Sequence, residues 1–194
     1  MVLRETCCYL RAGAHTSATA FVRTLHHVFE MDAAGGPDAE RVRSDMDFLQ
    51  RCVHETVRLP PSSPVAMRCA LEDLELAGGR AVARGDKVVI DLMAANRDPA
   101  VFGADADRFD PHRELPAGVG RWGLSFGLGM HACIGQELAA GVPDDGEGDR
   151  LYGLVPVAVQ AVLAAGARPD PDRPPVLDPD SARGYWATYP VRLG

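Results

Sequence analysis

Apolar positions near the start of the chain recur at three- and four-residue steps: Ala18, Phe21, Val22, Leu25, Val28 and Phe29. That spacing stacks them on one side of a helix and predicts a helix over residues 3–31. Gly35, Gly36 and Pro37 follow as breakers. A second helical stretch, residues 38–59, can start at Asp38 or Ser44 and repeats the period through Phe48, Leu49, Cys52, Val53 and Val57. Pro60, Pro61 and Pro64 stop it. From Val65 the period changes. Residues 65–69, 74–76 and 87–92 read as strands, with Gly78-Gly79 and Arg84-Gly85-Asp86 as turns between them. The expectation is one small antiparallel sheet over residues 65–92.

The rest of the chain is less regular. Residues 96–124 contain three prolines and few apolar repeats, which predicts a long ordered loop, and such loops in compact domains are usually functional. A helix can begin after Cys133, but Gly141 and Pro143 interrupt it early. Residues 157–165 are a second short helical candidate, 170–179 are turn-rich, and 185–193 are strand-like. There is no internal repeat. The predicted fold class is mainly α with a small antiparallel β-sheet.

Composition narrows the classes. The 194 residues are 46% apolar and 24% charged, ordinary for a globular chain able to bury a core. A formal net charge of −7 gives no support for binding nucleic acid or an anionic membrane surface. Five cysteines (Cys7, Cys8, Cys52, Cys69, Cys133) form no CxxC pair and no zinc spacing, as expected of a reduced, intracellular protein. The N-terminus lacks the continuous apolar segment of a secretory signal. The longest mostly apolar run, residues 154–167, is interrupted by Pro156 and Gln160 and is too short to span a bilayer. The expected location is cytoplasmic. Met46, Met67 and Met130 read as packing residues, Cys7 and Cys8 as structural. His26 and His27 read as solvated or satisfied core residues, and the acidic run at 144–149 as a solvated insertion.

The candidate chemistry is concentrated in Phe126-Gly127-Leu128-Gly129-Met130-His131-Ala132-Cys133-Ile134-Gly135. Glycines at 127, 129 and 135 allow the backbone to approach something flat and bulky. Cys133 stands just before a helix start, where backbone amides and the helix dipole favour a thiolate, a good axial ligand for haem iron. Taken alone, the stretch also fits a glycine-rich loop around a buried structural cysteine.

The stretch resembles the haem-binding loop of the cytochrome P-450 family, F-x-x-G-x-H/R-x-C-x-G, through Phe126, Gly129, His131, Cys133 and Gly135. Glu55-Thr56-Val57-Arg58 resembles the family's E-x-x-R helix, and its spacing puts Glu55 and Arg58 on one face. Ala106-Asp107-Arg108-Phe109 falls where the family places a second arginine, so the resemblance implies a buried Glu55–Arg58–Arg108 triad that holds the fold. Arg68 and His131 match positions that pair with the haem propionates; each also reads as an ordinary edge-strand arginine or loop histidine. Ala12-Gly13-Ala14-His15-Thr16-Ser17 resembles the oxygen-binding motif A/G-G-x-D/E-T-T/S, with His15 in place of the acid. Gly13 would let the helix open, and the Thr16 hydroxyl can bond back one turn and bend it. Thr16 would then steady dioxygen and relay protons, with His15 able to move protons near neutral pH.

The resemblance is to bacterial members, spans nearly all of this chain and covers about the C-terminal half of the family's usual length. It implies one partial haem-binding domain, truncated at the N-terminus: an oxygen-binding helix (1–31), the E-x-x-R helix (38–59), the small sheet (65–92), a meander with the cysteine loop (96–135), and C-terminal helices and a strand (136–194). The implied cofactor is haem b (iron protoporphyrin IX) on Cys133, with Phe126, Gly127 and Gly135 framing it. The implied partners are a small-molecule substrate, of the secondary-metabolite kind among others, and a ferredoxin/reductase electron donor or peroxide. A homodimer, a complementing chain or the haem itself is expected to close the core. Three activities follow: a shortened haem-thiolate monooxygenase; a haem protein using peroxide or doing non-oxygenase chemistry, which the loss of the acid at His15 allows; or a non-catalytic partner protein. The intact cysteine loop argues against the last.

Overall fold

The computed structural model describes residues 2–143, 150–181 and 183–194. The acidic run at 144–149 lies outside the described residues. Helix α1 (Val2–Ala34) extends beyond its expected end, because Gly35 (φ +70°) and Gly36 (φ +95°) are the first residues to leave helical geometry. Only its second half is covered. Ala20, Leu25, Val28 and Phe29 are buried, whereas Leu3, Tyr9 and Leu10 on the first half lie in solvent.

The stretch expected as one helix over 38–59 is two, α2 (Pro37–Ser44) and α3 (Met46–Arg58). Asp45 separates them in an extended conformation and caps α3: its Oδ1 accepts from Asp47 N at 2.9 Å and from Phe48 N at 3.0 Å. Such a cap is worth about 1 kcal/mol, which the continuous apolar period concealed. Phe48, Leu49, Cys52 and Val53 on α3 are fully buried against α1 and α7 (Leu154–Ala164), which contributes Val155, Val159 and Leu163. Pro156 is harmless in the first turn of α7, where backbone N–H groups have no helical partner.

The expected single sheet over 65–92 is two separate antiparallel ladders. Strand β1 (Val65–Cys69) pairs with β4 (Lys87–Asp91), placing Met67 opposite Val89; β2 (Leu74–Leu76) pairs with β3 (Arg80–Val82) across the Gly78-Gly79 turn. Short helices α4 (Leu92–Ala95) and α5 (Pro99–Phe102) follow and lead into the meander. Helix α6 (Gln136–Ala140) ends at Gly141, as the sequence predicts. A Cβ on Gly141 would lie 2.0 Å from the Leu151 carbonyl oxygen, so the chain closes tightly there. At the C-terminus β5 (Arg168–Pro169) pairs with β8 (Val191–Arg192), and β6 (Val176–Leu177) with β7 (Trp186–Thr188). The turn-rich stretch 170–179 thus contains a strand, and the final strand-like stretch divides in two. Among the described residues no helix is long and apolar enough to cross a membrane.

Candidate functional site

A cavity of about 590 Å³ opens where α1, the end of α3, β1 and the cysteine loop meet. Ala12, Thr16, Ser17 and Ala20 of α1 form one wall; Val53, Val57 and Ala66 add apolar surface. Arg68 on β1 and Phe126, Gly127, His131 and Cys133 of the loop complete the part that bears chemistry. Four separate elements bring these residues together.

The loop is shaped by its backbone. Phe126 O accepts from Cys133 N at 2.7 Å, Gly127 N donates to Leu124 O at 2.9 Å, and Ala132 N donates to Gly129 O at 3.0 Å. Gly127 (φ +69°) and Gly129 (φ +61°) hold left-handed conformations, and a Cβ on Gly127 would lie 2.7 Å from His131 O. Gly135 differs from both. Its φ of −97° suits any residue, it lies outside the cavity lining, and a Cβ there would make an ordinary 3.9 Å contact with Cys133 Sγ. Cys133 is an exposed free thiol, and Arg68 Nη1 donates to its neighbour's carbonyl, Met67 O, at 2.9 Å. Neither Arg68 nor His131 makes an ion pair among the described residues.

On α1, Thr16 Oγ1 donates to Ala12 O at 2.8 Å, as the sequence predicts, and its side chain faces the cavity. The helix nevertheless runs unbroken through Gly13, which is exposed and outside the lining, so the expected opening is not formed. His15 is a second correction. One residue turns a helix by about 100°, and that rotation carries His15 away from the cavity to pack edge-on against Tyr185, with ring centroids 4.8 Å apart. It is not placed to relay protons in the cavity. Tyr185 OH instead donates to Ser62 O at 3.1 Å and helps to fix the loop that carries Ser62 and Ser63 to the cavity edge.

Behind the site lies a buried ion-pair knot, and here too the sequence reading needs correction. Arg58 holds Glu55 through two bonds, Nε to Oε2 at 2.7 Å and Nη2 to Oε1 at 2.6 Å. The second arginine is Arg113, whose Nε donates to Glu55 Oε1 at 3.2 Å. Arg108 is largely exposed and pairs with Asp105 and Asp110. The chain doubles back after Phe109, with Arg113 N donating to Asp110 O, and this turn aims Arg113 inward beneath Phe102 O and Arg108 O. Burial alone would lower the pKa of Arg113, but its bonds to Asp105 and Glu55 outweigh that and raise it.

Asn96, fully buried, supports the site although no motif in the sequence marks it. Its Nδ2 donates to Arg58 O at 2.9 Å and Ser125 Oγ at 2.8 Å, and its Oδ1 accepts from Leu124 N at 2.7 Å. Ser125 Oγ donates in turn to Val57 O at 2.6 Å. Asn96 therefore fastens the approach to the cysteine loop onto the end of α3. No local spacing in the sequence announces such a role, because its partners lie 28–38 residues away.

A free thiol, two basic side chains and apolar walls on one cavity fit a flat macrocycle with two carboxylates and an iron centre. The family described as cytochrome P-450 matches over residues 25–140. Linalool 8-monooxygenase of Pseudomonas putida is 45% identical over 100 residues, covering 50% of this chain and 22% of its own. A cytochrome P-450 of Mycobacterium tuberculosis is 38% identical over 154 residues, covering 79% of this chain and 31% of its own. The solved structure of a mutant of the P-450 EryK in complex with erythromycin B superposes with a TM-score of 0.73 and 26% identity, covering 97% of this chain and 43% of that one. The chain thus spans between a fifth and a third of these curated relatives' length. Matched over most of its length by sequence and nearly all of it by fold, this chain belongs to the cytochrome P-450 family.

Proposed function

We propose that this chain carries the haem-binding part of a haem-thiolate monooxygenase acting on a small organic molecule. The observation that supports it is the convergence of Cys133, His131, Arg68 and Thr16 on one cavity. Family membership implies a haem held by a cysteine thiolate. In this chain Cys133 Sγ would hold the iron of haem b, and Arg68 and His131 would hold the propionates. Phe126 and Gly127 would lie against the ring. Bound haem supplies the activation of oxygen and its transfer to carbon.

The chain's own residues do the rest. The bond from Cys133 N to Phe126 O fixes where the sulfur stands. The Thr16 proton is already engaged with Ala12 O, which leaves the Oγ1 lone pairs to accept a proton or hydrogen bond within the cavity. Ala20, Val57 and Ala66 keep its walls apolar and limit water. The related structure that holds erythromycin B favours a substrate of the secondary-metabolite class. Electrons would come from a ferredoxin/reductase pair. The exposed face of Leu3, Tyr9 and Leu10 on α1 is where a second copy or a complementing chain would pack.

One observation favours the second reading, peroxide-driven or non-oxygenase chemistry: α1 places no titratable side chain in the cavity lining, His15 having turned away. Reaction under isotopically labelled dioxygen with reductase and NAD(P)H distinguishes the two. The monooxygenase reading expects label in the product and a loss of about tenfold or more in Thr16→Ala. Product formed only with peroxide, and unchanged in Thr16→Ala, would overturn it.

A further inference from the structure

A second cavity, of about 130 Å³, lies on α3 away from the Cys133 site. It is lined by Asp47, Gln50, Arg51 and His54, which share one face of the helix, and by Arg121 and Pro143. Most polar groups around it are engaged. Gln50 Nε2 reaches Ala140 O, Leu151 O and Tyr152 O, and Asp47 pairs with Arg150. His54 is different. Its Nε2 lies 2.9 Å from Ala140 O and must donate there, so in the neutral ring Nδ1 is a bare acceptor. That Nδ1 is buried and has no hydrogen-bond partner, in a residue only 1% exposed.

Two guanidiniums face the same space. Arg51 has no ion pair among the described residues, and Arg121 gives one bond to Arg113 O at 3.1 Å. Burial lowers the pKa of Arg121, and the nearness of Arg51 lowers it further. Glu55, the carboxylate whose charge acts on Arg121, is taken up by Arg58 and Arg113. Among the described residues, then, Arg51 and Arg121 bring positive charge to the cavity without a carboxylate paired to either, beside an acceptor that lacks a donor. A group that cures both must carry negative charge and a hydrogen.

We propose that this cavity binds a small protonated oxyanion of the hydrogen-phosphate class, whose O–H donates to His54 Nδ1 and whose other oxygens accept from Arg51 and Arg121. A fully deprotonated oxyanion such as sulfate has no hydrogen to give. It can bind well only when His54 itself takes a proton, which burial opposes first and the two arginines oppose further, pushing its pKa down to about 4. The site touches the loop that leads to Cys133. Trp122 stands edge-on to His54 at 5.1 Å and to Phe126 at 5.8 Å, so its fluorescence reports occupancy. The inference stands independently of haem binding.

The test is a titration of the full chain with inorganic phosphate and with sulfate at constant ionic strength, followed by calorimetry and tryptophan fluorescence. Arg51→Glu is the variant of choice, because Arg51 is exposed and lies outside the core. Saturable phosphate binding is expected at pH 7, weakened about tenfold or more in Arg51→Glu. Sulfate is expected to bind more weakly at pH 7 and to gain about tenfold per pH unit as the pH falls towards 5. Absent saturation by phosphate, equal binding by the variant, or sulfate equal to phosphate at pH 7 would each overturn the proposal.

Discussion

The two sides of the cysteine loop are built on opposite terms. Behind it, Glu55, Arg58 and Arg113 are almost entirely engaged with one another and with backbone carbonyls; Arg58 alone reaches Glu55, Asn96 O and Ala106 O. In front of it, Arg68, His131 and Cys133 line a cavity and make no ion pair or disulfide among the described residues. Charged groups in the knot are consumed by the fold, whereas those around the cavity remain available to a ligand. Asn96 and Ser125 join the two sides. Function in this chain is therefore expected where the polar groups are least satisfied, and stability where they are most satisfied.

The strongest way to break this contrast is to mutate the knot. Arg113→Ala is expected to destabilise the chain by about 3–5 kcal/mol in urea unfolding, because Glu55 loses one of its two guanidinium partners and the carbonyls of Phe102, Asp105 and Arg108 lose their donor. Arg108→Ala should cost no more than about 1 kcal/mol, since its pairs are exposed. Equal losses in the two variants would contradict the assignment. Next comes His54, whose burial holds its pKa near 4, below that of the unfolded chain. Stability from this group is complete above about pH 6.5 and is lost as the pH falls towards 4, up to about 3 kcal/mol. Measured unfolding free energies across that range should flatten in His54→Phe. Asn96→Ala comes third, at about 1–3 kcal/mol, through its stranded partners Leu124 N and Arg58 O; faster amide exchange at Leu124 would localise the loss. Arg68→Ala and His131→Ala should change stability by no more than about 0.5 kcal/mol while weakening haem binding in a spectral titration. A large stability loss there would erase the distinction between the two sides.

What was legible in the sequence was whatever depends on neighbours along the chain. The Phe126–Gly135 spacing, the Glu55–Arg58 pair on one helical turn and the Thr16 bond to Ala12 O are local, and the structure keeps all three geometries. Arg113 was illegible because a turn at Asp110 and Pro111, rather than spacing, decides which arginine points inward. Asn96 acts through partners distant in sequence. Motif position alone puts His15 beside Thr16 in the site, whereas helical rotation sets residues 15 and 16 on different faces. The apolar period runs across the break at Asp45 and hides it, although an aspartate before Met46-Asp47-Phe48 is a recognisable helix start.

The role proposed for the cavity depends first on Cys133 presenting a thiolate to haem iron. The most direct measurement is the absorption spectrum of the haem-loaded, ferrous, carbon monoxide-bound chain beside that of Cys133→Ala. The wild type is expected to show the strongly red-shifted Soret band of thiolate ligation, and Cys133→Ala to lose it while keeping its fold. A wild-type spectrum without that shift, or a shift that survives in Cys133→Ala, would contradict the assignment of Cys133.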